Sequence, residues 1–189
     1  MLMMGIALAV IVLIVIVIAG LYNSLVGKKN QVINVFGTVD ALLRKRYDLI
    51  PNLVATAQTY MQYEKEVLSK VTELRARAIS GKASDDEKIA IDREISQALR
   101  GIMVAVENYP DLKANQSFLQ LQASLNEVEE QISAARRAYN AAVTDYNNAV
   151  EMFPTNLMAQ MMNYQRKAVF EIAPAEREPV DVQKMFKRQ

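Results

Sequence analysis

Apolar residues follow two patterns along this chain, one continuous and one spaced by threes and fours. The continuous run comes first. From Gly5 to Tyr22 the chain reads GIALAVIVLIVIVIAGLY, and no charged side chain occurs before Lys28. At ~1.5 Å of rise per residue, about 20 residues cross the ~30 Å hydrocarbon core of a bilayer. Residues 1–26 are therefore expected to form a transmembrane anchor. Each Ile, Leu or Val favours insertion by roughly 0.3 to 0.6 kcal/mol, and no charge within the run opposes them. A core helix of a soluble protein would be shorter and would show a polar side. A cleaved signal peptide would need a basic n-region, a shorter apolar run and a small-x-small cleavage site. No Lys or Arg precedes this run, and Ile18-Ala19-Gly20 is a poor cleavage site.

The spaced pattern fills the rest. Val32, Phe36, Val39, Leu43, Tyr47, Ile50, Val54, Ala57, Met61, Leu68 and Val71 lie on one face of a helix that continues from the anchor. Pro51 has no amide proton and crowds the carbonyl of Tyr47, so a kink or restart is expected there, with Asp48 as cap. The helix is expected to run to about Ile79, and Gly81 fits a stop. Ser84 and Glu87 form an S-x-x-E capping box, and a stripe from Ile91 to Val106 follows. Gly101 inside that helix costs about 1 kcal/mol against alanine, a cost that close packing on a neighbouring backbone would explain. Asp111 to Asn115 reads as a turn. A long helix from about Gln116 to Phe153 carries Phe118, Leu121, Leu125, Val128, Ile132, Ala135, Tyr139, Ala142, Tyr146, Ala149 and Phe153, a coiled-coil-like stripe. Asn156 to Glu171 is expected to be another helix. The expected fold is all-α: an elongated antiparallel bundle of three to four long helices over 27–172, standing on the anchor. An extended tail over 173–189 contains a strand-like Val180-Asp181-Val182.

Composition narrows the chemistry. The formal net charge is +1, so nothing points to nucleic acid. Cysteine, histidine and tryptophan are absent. Nucleophile–base pairs built on histidine, Cys/His zinc sites and Glu-x-x-His di-metal sites lack their residues. Glu64, Glu66, Glu127, Glu129 and Glu130 read as a solvated face in preference to a hard-cation site. No glycine-rich phosphate loop occurs, and no cofactor is expected.

Several longer runs are specific enough to compare. They are Tyr22-Asn23-Ser24-Leu25-Val26, Arg44-Lys45-Arg46-Tyr47-Asp48-Leu49-Ile50-Pro51-Asn52-Leu53-Val54 and Tyr109-Pro110-Asp111-Leu112-Lys113-Ala114-Asn115. Further on come Phe118-Leu119-Gln120-Leu121-Gln122, Ala135-Arg136-Arg137-Ala138-Tyr139-Asn140, Tyr146-Asn147 and Phe153-Pro154-Thr155-Asn156-Leu157. Through these the chain resembles the LemA family of bacterial membrane proteins over nearly its whole length. The resemblance implies one N-terminal span, outside-in topology and a bundle of long helices. It implies no reaction, and it implies a membrane metalloprotease as a candidate partner. Two places depart from the family's usual pattern: Phe36, where tryptophan is usual, and Met162-Asn163-Tyr164, where a Phe-Gly-Phe-like turn is usual.

The candidate site residues follow. Lys28 and Lys29 close to the span are expected to meet anionic lipid at ~1 kcal/mol each. Arg44 stands about 27 Å beyond the end of the anchor at residue 26 along a straight helix, so Arg46, Asp48 and Pro51 are expected to form a structural capping or ion-pair network at the kink. Tyr139, Asn140, Tyr146 and Asn147 lie one heptad apart and are expected to fix register, within the monomer or across an oligomer seam. The excess of Lys and Arg after the span places the N-terminus outside and the helices in the cytoplasm of a bacterial cell membrane. The expected function is a non-enzymatic membrane scaffold that self-associates or docks membrane partners. An adaptor or regulator of a membrane metalloprotease is the alternative, and a carboxylate metalloenzyme a distant third.

Overall fold

The first helix, α1, runs unbroken over Leu2–Gln58, roughly 85 Å at ~1.5 Å per residue. In the computed structural model, which describes residues 1–61, 63–81 and 84–170, its apolar N-terminal part packs against no other described residue. None of the candidate membrane window is buried. Burial begins at Leu25, which is fully enclosed, and continues through Val32, Phe36, Val39, Leu43, Tyr47 and Ile50. The residues from Leu21 to Gln58 are thus both the continuation of the span and the first wall of the core.

α2 (Lys65–Ile79) and α3 (Asp85–Val106) form a hairpin against the upper half of α1. The short α4 (Pro110–Lys113) turns the chain over, and α5 (Gln116–Glu151) returns along α1. α6 (Thr155–Met161) then packs on both α1 and α5. These six helices, with no strand, make up the regular structure among the described residues. Local chemistry sets the ends. Ser84 Oγ accepts from the Glu87 amide at 3.2 Å while the Ser84 amide donates to Glu87 Oε2 at 2.8 Å, a complete capping box. Asn115 Oδ1 accepts from the Phe118 amide at 3.0 Å to start α5. Gly81, at φ +71°, ends the α2 arm in the left-handed region.

The α1–α5 seam keeps one register from end to end. Tyr60 meets Asn115, Arg46 meets Glu129 and Phe36 meets Tyr139. In each pair one number rises by as much as the other falls, as straight antiparallel helices require. The predicted stripe of α5 is buried except at Leu121, half-buried, and Phe153, exposed.

Four expectations need correction. Pro51 does not restart α1, and Asp48 caps nothing: it is exposed within the unbroken helix. Proline deprives the Tyr47 carbonyl of its helical donor, and here Arg75 of α2 replaces it, with Nε donating to Tyr47 O at 2.8 Å. The first soluble helix also stops at Gln58, well short of Ile79. A helix that reverses and packs its next arm on the same core keeps the apolar stripe in phase, so spacing alone cannot reveal the break. The final helix ends at Met161 instead of Glu171. Its end is a Schellman turn: Tyr164 N donates to Ala159 O at 2.9 Å and Asn163 N to Gln160 O at 3.1 Å, with Asn163 at φ +52°. Gly101, lastly, faces no backbone; a Cβ there would meet only Val67 Cγ1, at 3.7 Å. The expected tail, 173–189, lies outside the described residues.

Arg75→Met should destabilise the protein by about 1.5–3 kcal/mol, the range for a hydrogen bond to a charged group. Pro51→Ala restores an amide donor to Tyr47 O, so Arg75→Met should cost much less in that background. Denaturant titration of the detergent-solubilised protein measures both; an equal loss in the two backgrounds would contradict the role given to Arg75.

Candidate functional site

Two polar groupings interrupt the apolar core. The first joins three helices in the upper bundle. Arg46 of α1 is buried, and its Nη1 donates to Asp92 Oδ1 at 3.1 Å and to Ser96 Oγ at 3.0 Å on α3. The same nitrogen lies 3.0 Å from Glu129 Oε2 of α5. Arg136 of α5 pairs with the other Asp92 oxygen and sits 3.6 Å from Glu129 Oε1. Two arginines and two carboxylates therefore form a neutral square. Burial pushes the Asp92 carboxyl upward, and Arg136 and Arg46 pull against that shift. Burial, with the Asp92 carboxylate, also raises the Tyr47 hydroxyl far above its ordinary value, so it stays protonated.

The second grouping lies in the lower half, where the α2–α3 hairpin no longer covers the α1–α5 seam. The non-helical stretch 164–170 covers it instead. Asn140 Nδ2 donates to Phe170 O at 2.9 Å, and its Oδ1 accepts from Phe170 N at 2.8 Å. One heptad on, Asn147 Nδ2 donates to Lys167 O at 3.0 Å and Oδ1 accepts from Lys167 N at 2.9 Å. A carboxamide carries the donor and acceptor of a peptide unit, so each asparagine pairs with one residue's backbone as a neighbouring strand would. The spacing explains why the held segment is extended. Seven helical residues rise about 10.5 Å, and three extended residues cover about 10 Å. Tyr146 adds a bond from its hydroxyl to Gln165 O at 3.1 Å.

Aromatic packing completes this clasp. Phe170 is buried, its ring centroid 5.3 Å from that of Tyr139, which lies 5.5 Å from Phe36. Arg136 stacks over Phe170 at 5.5 Å and so ties the clasp to the charged square. Burial pushes the Tyr139 hydroxyl up to about 12, with the Asp85 and Asp86 carboxylates adding to it. The Tyr47 and Tyr139 hydroxyls both stay protonated near neutral pH, and Tyr47 Oη is buried with no hydrogen-bond partner among the described residues.

The four residues expected to fix register thus come together, but what they hold is a segment of the same chain. Arg46 is in an ion network, with Asp92 and Glu129 as partners in place of Asp48. Arg44 and Lys45 also take carboxylates, Asp40 at 3.3 Å and Glu127 at 3.9 Å. Lys29 does not point freely to lipid: its Nζ lies 3.4 Å from Tyr164 Oη and 4.7 Å from that ring's centroid. Lys28 is half-buried. Sequence reasoning missed Asp92 and Arg75. Asp92 had a signal, since it stands three residues from both Ile89 and Ile95, each buried. Glu129, read as part of a solvated face, belongs to the square. Among the described residues no three carboxylates converge as a metal site would need.

The LemA family pattern matches residues 22–183. The chain belongs to the LemA family. Protein LemA of Metamycoplasma hominis is 27% identical to it, over 89% of this chain and 77% of that protein. The magnetosome proteins MamQ 1 and MamQ 2 of Paramagnetospirillum magneticum are each 23% identical, over 87% of this chain and 70% of theirs. With these relatives and its apolar N-terminal helix, this LemA-family chain is a membrane-associated helical protein. Asn163 occupies the left-handed position that glycine takes most easily and asparagine next.

Removing one member of the square should cost far more than its share of contacts suggests. Asp92→Ala leaves Arg46 and Arg136 facing each other with less compensation, and about 3–5 kcal/mol of stability should be lost. Replacing the group with apolar residues of similar volume should be close to neutral. Unfolding of both variants in detergent checks this; a mild loss for Asp92→Ala would mean that water already screens the square.

Proposed function

We propose that this LemA-family protein is a non-enzymatic, single-pass membrane scaffold that acts by self-association and by docking other membrane proteins. The observation that carries the reading is where the buried and half-buried polar groups are used. Arg46, Asp92, Arg136, Glu129, Asn140 and Asn147 all bind the chain to itself. What remains for partners is the outer face of a long bundle, continuous with its span through α1. A rod of this kind presents a lateral surface at fixed heights above a bilayer, which suits side-by-side assembly of identical chains.

The orientation we propose has the N-terminus outside and the bundle in the cytoplasm of a bacterial cell membrane. It rests on the basic residues Lys28, Lys29, Arg44, Lys45 and Arg46, all of which follow the apolar run, with none before it.

Two measurements test these statements. Light scattering of the full-length protein in mild detergent should give one defined mass, a small multiple of the monomer; a monomer at all concentrations would remove self-association. Protease added to intact spheroplasts should leave the bundle whole, whereas inside-out vesicles should lose it; the reverse pattern would invert the topology.

A further inference from the structure

The α5–α6 elbow exposes large apolar side chains that no other described part of the chain covers. Met152 is 62% exposed, Phe153 79%, Leu157 55% and Met161 83%. Elsewhere in the bundle exposed apolar residues of this size are scattered, and single ones are ordinary on a protein surface. Here four fall within ten positions of one another, on one short bend.

The height of the bend identifies what it meets. Carrying the α1–α5 register down from Phe36 and Tyr139 brings Glu151, the last residue of α5, level with Ser24, and Phe153 level with Tyr22. Tyr22 is the end of the apolar run. On the returning side, α6 packs on α1, and just after it the ring of Tyr164 meets Lys29, about 10 Å along α1 from Tyr22. The stretch 152–163 therefore lies between the level of Tyr22, where α1 leaves its apolar segment, and that of Lys29.

We propose that this elbow is a second membrane contact: Phe153, Leu157 and Met161 enter the headgroup and upper acyl region of the bilayer beside the span. The inference rests on α1 being a membrane anchor. The bilayer is the occupant because the patch adjoins the span at the same height and is apolar with no paired charge at its centre. Aromatic and long apolar side chains gain by burial at that depth. Two contacts would fix the tilt and rotation of the rod, which a lone helix leaves free.

The chain contains no tryptophan, so one introduced residue reports its own depth. Full-length Phe153→Trp, Met161→Trp, Leu13→Trp and Val104→Trp proteins would be reconstituted into phosphatidylcholine–phosphatidylglycerol vesicles with and without lipids brominated high on the acyl chain. Leu13 lies inside the apolar run, and Val104 is an exposed residue on α3, in the distal half of the bundle. Phe153→Trp and Met161→Trp should emit at blue-shifted wavelength, lose most of their emission to bromolipid and resist aqueous acrylamide. Val104→Trp should keep its emission in bromolipid and lose it to acrylamide. If Leu13→Trp is quenched by bromolipid but both elbow residues behave like Val104→Trp, the elbow contact is overturned and the anchor stands. If the elbow residues resist both quenchers, a protein partner covers them and the lipid contact is overturned. If Leu13→Trp itself escapes bromolipid, the anchor fails and the elbow contact with it.

Discussion

The rest of the structure depends on α1 being one rigid piece. It enters from the apolar segment, passes Leu25 without a break and becomes the wall against which α2, α5 and α6 pack. Every height in the molecule is measured along it. That continuity is maintained against a local penalty, since Pro51 removes a hydrogen bond in mid-helix and such a residue usually bends the chain. The side chain that fills the gap comes from another helix. Arg75 donates to Tyr47 O, so the packed hairpin supplies the hydrogen bond that the first helix's own sequence lacks.

The two polar groupings do related work at different heights. In the upper half, four helices surround the seam, and the neutral square of Arg46, Asp92, Arg136 and Glu129 fixes how α1, α3 and α5 face each other. Apolar residues alone tolerate slippage between stripes, while buried charges lose several kcal/mol if they move apart. In the lower half the hairpin is gone, and an extended segment is locked by amide pairs that recognise only backbone. Arg136 belongs to both, pairing with Asp92 above and stacking on Phe170 below.

Much of this was legible in the sequence, and the failures share a cause. The apolar N-terminal helix, the capping box at Ser84, the start of α5 at Gln116 and nearly all of the α5 stripe could be read because each is a local signal. The importance of Tyr139, Asn140, Tyr146 and Asn147 was also visible, as polar residues repeating by heptads inside an apolar stripe. What they hold was not, because an asparagine side chain shows no preference in sequence for helix, partner chain or extended backbone. The expected break at Pro51 failed for the same reason: its remedy lies 24 positions away, in Arg75. The break at Gln58 escaped because a reversing helix keeps its apolar phase. Phe153 was placed in the core by periodicity, and periodicity says nothing of where the facing helix ends.

That last residue exposes a constraint on the whole lower half. α5 descends along α1 to the level of Ser24; with α1 as the proposed anchor, a further turn of helix would carry polar residues such as Asn156 into hydrocarbon. The chain must reverse there. It must also climb back far enough to cover the seam left bare below the hairpin, between Leu25 and Phe36. The seven residues 164–170 would rise only about 10 Å as a helix but about 20 Å when extended, at ~1.5 Å and ~3.3 Å per residue. Extension reaches Phe36 and leaves backbone groups unpaired along the way. Asn140 and Asn147 supply those missing partners at the one spacing where a heptad of helix matches three residues of extended chain. The asparagines, the left-handed turn at Asn163 and the exposed elbow are in this view consequences of a single geometric fact: a bundle whose main seam runs down to the surface of a membrane.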